Sequence, residues 1–437
     1  MTTQINHAAA AAPVFGARAV HTRRVRFVVV FCGYSAIVLG LPWMLFFMWQ
    51  GAWATALTDG LLTALGVIGL RLARRDELRR ASLLLVASLI FRLFTMVALF
   101  DIPSADVPRS VHYYFIPLAM ATYLMFRHDK PWIKHSLAWL SLSSVVFYSN
   151  SPWGIATRVM VPDTVRATGN WINSAMAMAL LFLLLLIFVL DIEVLERSVA
   201  GLRQRWIDCV HRALPRQLIE PLAKWAQRIA PSIPQYGIAI PSAGTEVWQN
   251  TQASRTRMMT LVGGTILIGV GLLDAFYFAM KGNAPVMLIN LSITALGAAL
   301  TQMVGDKGRG WTMVAFVLST IAVILICALL IDIPAPGQQR SVHFWFLPIA
   351  LAAYFLLRNE GSWIQCGLPL ACLVFFTILA SSNWSYLTPL ALPQDIKPPA
   401  WANTLAALGS MYAYVHILVG DVKRTETRFN DTLSRLF

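Results

Sequence analysis

Charge is scarce in this sequence. Only 13% of its 437 residues are Asp, Glu, Lys or Arg, while 57% are hydrophobic; an average soluble domain carries about a quarter charged residues. This shortage leaves too few polar groups to cover a water-exposed surface, so lipid is the expected solvent. Cysteine provides no framework: Cys32, Cys209, Cys327, Cys366 and Cys372 are scattered, with no CxxC pair, which excludes a disulfide scaffold or a zinc knuckle. The N-terminal stretch, including Ala8 to Ala12, lacks the cationic start and following apolar region of a cleaved signal peptide. Phosphate-loop, dinucleotide, zincin and nucleophile-elbow signatures are all missing. Nothing in the sequence supports an enzyme, and no particular cofactor is indicated.

What is present is a succession of apolar runs near the length of about 20 residues that crosses a bilayer core as a helix. They lie near 27–48, 52–72, 81–101, 111–126, 132–149 and 171–191, then 258–280, 284–304, 311–332, 342–357, 362–380 and 401–420. The formal charge of +14 is explained by placement. Of 35 Lys and Arg, 28 fall on one side of these runs, six on the other, and Arg92 lies within a run. That is the positive-inside bias, and it argues for a bacterial inner membrane protein with both termini cytoplasmic and no nucleic-acid partner.

The sequence also repeats itself at an offset of 231 residues. Gly33 and Gly40 match Gly264 and Gly271, and Thr63-Ala64-Leu65-Gly66 recurs as Thr294-Ala295-Leu296-Gly297. Asp101-Ile102-Pro103, five variable residues and Arg109-Ser110-Val111-His112 recur from Asp332 to His343. After a one-residue slip Trp171 and Asn173 match Trp401 and Asn403. An even number of spans per copy gives both copies the same orientation. The expected fold is therefore an all-α polytopic membrane protein of about twelve transmembrane helices, two parallel six-helix repeats forming a covalent pseudo-dimer. Its parts are a disordered tail 1–22, a first unit 23–192, a linker 193–254, a second unit 255–422 and a tail 423–437.

Candidate functional residues fall in two groups. At the outer corner between third and fourth spans of each unit stand Asp101, Arg109 and His112, repeated as Asp332, Arg340 and His343. An acid, a cation and a histidine that titrates near neutrality suit a small polar ligand; they equally suit a structural corner in which Asp and Arg pair. Facing of His112 and His343 across a pseudo-twofold axis is thin ground for a metal or haem without further ligands. Within the spans stand Asp59, Arg92, Asp274, Asn290 and His416, and ionisable groups there are expensive enough to be functional by default. Asp59 matches Asn290, whereas Arg92 matches Val323 and Asp274 matches Trp43. Helix cross-linking, pairing of Arg92 with an acid on a neighbouring helix, and ligand contact are the alternatives.

Between the units, Leu202, Trp206, Val210, Leu214, Leu218, Leu222, Trp225 and Ile229 recur at helical spacing among arginines and lysines. This reads as a basic amphipathic pair lying on the inner membrane face, with anionic lipid over 193–230 or a cytoplasmic protein as its partner.

At Ser110-Val-His-Tyr-Tyr-Phe-Ile-Pro and Ser341-Val-His-Phe-Trp-Phe-Leu-Pro each unit resembles the six-helix membrane sensor modules of bacterial nucleotide and diguanylate cyclases. In those modules a last span leads into a charged signalling helix, as Asp191-Ile-Glu-Val-Leu-Glu and Asp421-Val-Lys-Arg-Thr-Glu do here. No cyclase sequence follows either copy, so the resemblance implies a receptor that binds a small ligand at the outer side and signals to a separate cytoplasmic partner. The alternative is a secondary transporter of a small solute: twelve spans in 6+6 parallel repeats are similar to the major facilitator plan, although that family's loop signature is not intact.

Overall fold

The computed structural model describes residues 17–102, 108–126, 129–151, 153, 169–188, 243–303, 310–332, 340–357, 362–381 and 400–436. These residues form twelve α-helices and no strand. In chain order they are α1 (Ala17–Trp49), α2 (Trp53–Arg74), α3 (Leu78–Leu99), α4 (Phe115–Met125), α5 (Pro131–Asn150), α6 (Gly169–Phe188), α7 (Ala243–Met280), α8 (Ala284–Gln302), α9 (Gly310–Leu330), α10 (Phe346–Leu356), α11 (Ser362–Ser381) and α12 (Ala400–Leu436). Short 3-10 turns, Val111–Tyr114 and Val342–Trp345, lead into α4 and α10. The first sixteen residues and the segment 193–230, with its expected lipid contact, lie outside the described residues.

Nine of these helices are long and apolar enough to cross a membrane; α4, α5 and α10 are not among them. The molecular surface agrees with lipid as solvent. Large apolar side chains point outward along the helices, Leu57, Phe91, Leu273 and Phe276 among them, in an amount that water-soluble proteins do not expose. Tryptophans Trp49, Trp53, Trp132, Trp171, Trp363 and Trp401 are exposed at or near helix ends, where an indole sits with its N–H at the headgroup level and its ring in hydrocarbon. The chain is a polytopic membrane protein.

Three helices outrun their apolar windows. Helix α1 begins at Ala17, α7 at Ala243 and α12 continues to Leu436, so residues 17–22 are helical rather than structureless and the end of the expected linker, 243–254, is helical too. Hydropathy registers only the lipid-facing stretch, whereas an established helix continues through polar residues by adding one hydrogen bond per residue. The fourth and tenth helices depart in the opposite sense. Each has eleven residues, about 17 Å of helix at the usual rise. All eleven side chains of α4 are buried, as are nine in α10. A helix apolar on every side is a core element, and these two form the centre of their respective halves.

Close helix approach accounts for the recurring glycines. A Cβ on Gly66 would stand 2.9 Å from the Gly33 carbonyl oxygen, and one on Gly297 would stand 2.7 Å from that of Gly264. Small residues let α1 meet α2, and α7 meet α8, at backbone distance, the packing that membrane helices use where hydrophobic driving force is absent. A single buried cluster then runs through both halves: Tyr113 lies edge-on to Phe376 and near Phe344.

Candidate functional site

The two corners are built alike. The Asp101 carboxylate accepts from the backbone N–H groups of Ser110 and Val111 at 2.9 and 2.8 Å, and Asp332 accepts from Ser341 and Val342 at 2.5 and 2.7 Å. Each acid thus satisfies the free donors that open a helical turn. The Arg109 guanidinium gathers main-chain carbonyls. It donates to Asp101 O at 2.7 Å, Ser151 O at 2.9 Å and Trp153 O, and lies over the Tyr148 ring. Arg340 donates to Ala328 O at 2.7 Å. His112 lies 2.9 Å from Ser149 Oγ, while His343 lies 3.5 Å from Tyr113 Oη of the other half. Both histidines are completely buried. Asn173 and Asn403, which match in the sequence repeat, donate to Ser110 Oγ and Ser341 Oγ at 3.1 and 3.3 Å.

Deeper in the first half, Arg92 on α3 donates to Asp59 Oδ1 on α2 in a buried ion pair. The sequence had left a neighbouring acid as one option for Arg92, and Asp59 fills it. This pair lines a cavity of about 170 Å³ bounded by α1, α2, α3, α4 and α6. The cavity extends to Asp101, Ser110, Tyr114 and Asn173, so it joins the corner to the buried charges. Its walls are otherwise apolar, with Leu39, Leu62, Leu89, Leu93, Met96 and Phe100 prominent.

Among the described residues, the corresponding place in the second half is more tightly filled. At the corresponding place a space of about 40 Å³ remains, with Ile266 and Tyr414 standing where Ser35 and Leu184 stand in the first half. The Tyr414 hydroxyl lies against Gly263, the counterpart of Cys32. Asn290 is buried and donates to its own helix at Val286 O, 3.0 Å, and Val323 takes the position of Arg92. Asp274 is half-buried on α7 and makes no ion pair among the described residues.

His416 is drawn into a junction between halves. Its Nδ1 lies 2.7 Å from Tyr123 Oη at the end of α4, and its ring is 5.4 Å from that of His135 on α5. His135 in turn bonds Tyr412 on α12, whose ring packs on Trp139. Sequence reasoning missed His135, Tyr412 and the cavity walls. The histidine and tyrosine have no polar counterpart in the other copy, Cys366 and Phe182 standing there, so the repeat gave no signal for them. Among the described residues no group of three or more His, Cys, Asp or Glu side chains is placed to hold a metal. Comparison with known proteins returns no matching family model, no similar curated protein and no similar solved structure.

Proposed function

We propose that the protein is a membrane receptor in which a small ligand occupies the first-half cavity and α12 carries the signal to a cytoplasmic partner. One observation carries this reading: α4 borders both. Pro117, Leu118 and Ala121 line the cavity, and Tyr123, half a turn beyond, touches His416 of α12. Helix α12 then continues sixteen residues past the end of its apolar span at Gly420, about 24 Å at helical rise. A ligand that spreads α4 from α1 has a direct mechanical route to that extension. Transport is less favoured because substrates of parallel-repeat transporters lie between the repeats, and here the junction between halves is packed with rings while the cavity lies within one half. On this reading all twelve helices are membrane elements of two parallel six-helix units in a bacterial inner membrane. Both termini are cytoplasmic, the corners face outward, and Asp101 and Ser110 form the mouth of the site.

The experiment is a thermal-shift screen of the reconstituted full chain against amphiphiles of five to twelve carbons, followed by flux measurement of a radiolabelled hit in vesicles. Stabilisation of the wild type, absent in the triple variant Cys32→Gly/Ser35→Ile/Leu184→Tyr that copies the filled second half, supports the cavity as the site. Accumulation of the hit inside vesicles overturns the receptor in favour of the transporter.

A further inference from the structure

The buried pair is incompletely used. Arg92 spends Nη2 on Asp59 Oδ1, and its Nη1 and Nε, together with Asp59 Oδ2, are shielded from solvent without a hydrogen-bond partner among the described residues. Arg92 and Asp59 are only 7% and 3% exposed. Native proteins rarely leave buried donors and acceptors unmet, and such a group calls for an explanation. Both side chains belong to the wall of the same cavity. An occupant that satisfies them must offer an acceptor to the guanidinium and a donor to the carboxylate.

Its charge follows from the same pair. Arg92 and Asp59 already neutralise one another, and a net charge added in surroundings this apolar would be desolvated without compensation. Its size follows from the chamber. An apolar protein cavity of about 150 Å³ accepts a benzene molecule, and this one measures about 170 Å³. Resting on the cavity as the ligand site, we infer that the ligand is a small apolar molecule of about ten non-hydrogen atoms carrying one uncharged head that both donates and accepts, such as a primary carboxamide. The second half, with Asn290 bonded to its own helix and Val323 in place of the arginine, offers no equivalent head site, so one ligand binds per chain.

Four probes of nearly equal shape separate the possibilities: fluorobenzene, 4-fluorobenzamide, 4-fluorobenzoate and 4-fluorobenzylamine. Each is titrated into the full chain in lipid nanodiscs and followed by its fluorine resonance, with empty nanodiscs subtracted. The expected result is saturable binding of the amide at one per chain, at least tenfold tighter than the benzoate and the amine. Asp59→Asn/Arg92→Val, which installs the residues that the second half uses at these positions, should weaken the amide at least tenfold and leave fluorobenzene unchanged. Benzoate binding as tight as the amide overturns the uncharged head and makes Arg92 an anion site. Amide binding no tighter than fluorobenzene also overturns it, water alone then completing the pair. Both of those results leave the cavity standing. Failure of all four probes, fluorobenzene included, overturns the cavity itself.

Discussion

At the scale of single residues, two buried arginines do different work. Arg109 faces main-chain carbonyls contributed by α5 and the chain beyond it as well as that of Asp101, so its planar fork ties the end of α5 to the corner at several points. Lysine places one point charge and cannot span them. Arg109→Lys is expected to cost about 3 kcal/mol, since hydrogen bonds to charged groups contribute roughly 1.5–3 kcal/mol each, and to lower the melting temperature in detergent. Arg92 faces one carboxylate, and there the loss depends on what remains. Asp59→Asn or Arg92→Val alone strands a buried charge, at a cost of about 3–5 kcal/mol. The double change strands none and should melt closer to wild type than either single variant. A double variant less stable than both singles would refute the pairing. Such particulars were only partly legible in the sequence. Asp101, Arg109 and His112 stood out because they repeat, yet backbone atoms, the Tyr148 ring and Ser149 are among their partners, which no side-chain pattern announces.

Elements were more legible, because apolar length and basic flanks follow directly from the solvent. The glycine matches already marked the crossings, and those crossings differ in tightness. At Gly297 an added methyl meets backbone on α7 at 2.7 and 2.8 Å, whereas at Gly66 it meets one backbone atom at 2.9 Å and otherwise side chains. Overpacking of this kind typically costs 1–3 kcal/mol. Gly297→Ala is expected to lower the melting temperature more than Gly66→Ala. Gly409→Ala, where nothing lies within 4 Å, should be neutral or stabilising by up to about 1 kcal/mol through helix propensity. Equal losses at all three would refute packing as the reason for these glycines. The ends of α1, α7 and α12 were not legible, since polar residues continue a helix without leaving an apolar signature.

For the whole molecule, the cavity escaped the sequence because it lies where two similar stretches of sequence differ. Its wall exchanges, Cys32 for Gly263, Ser35 for Ile266 and Leu184 for Tyr414 among them, follow no pattern of charge or hydropathy and change chiefly the volume left between helices. If α4 links that cavity to α12, His416→Leu, which copies Leu186 at the matching position, should leave 4-fluorobenzamide affinity within about twofold. It should abolish any ligand-dependent change in hydrogen exchange over residues 421–436, where local opening is measured directly. Retention of that change would place the coupling elsewhere. The enclosed short helices also bear on how the chain is made. Eleven residues reach only about 17 Å, against an about 30 Å hydrocarbon core, so during synthesis α4 and α10 cannot be held in the bilayer by lipid as their neighbours are. Each must enter with a partner helix and settle once its surroundings exist. Nascent chains stopped after Met125 should therefore fail to keep α4 in the membrane, and those that include α5 and α6 should retain it.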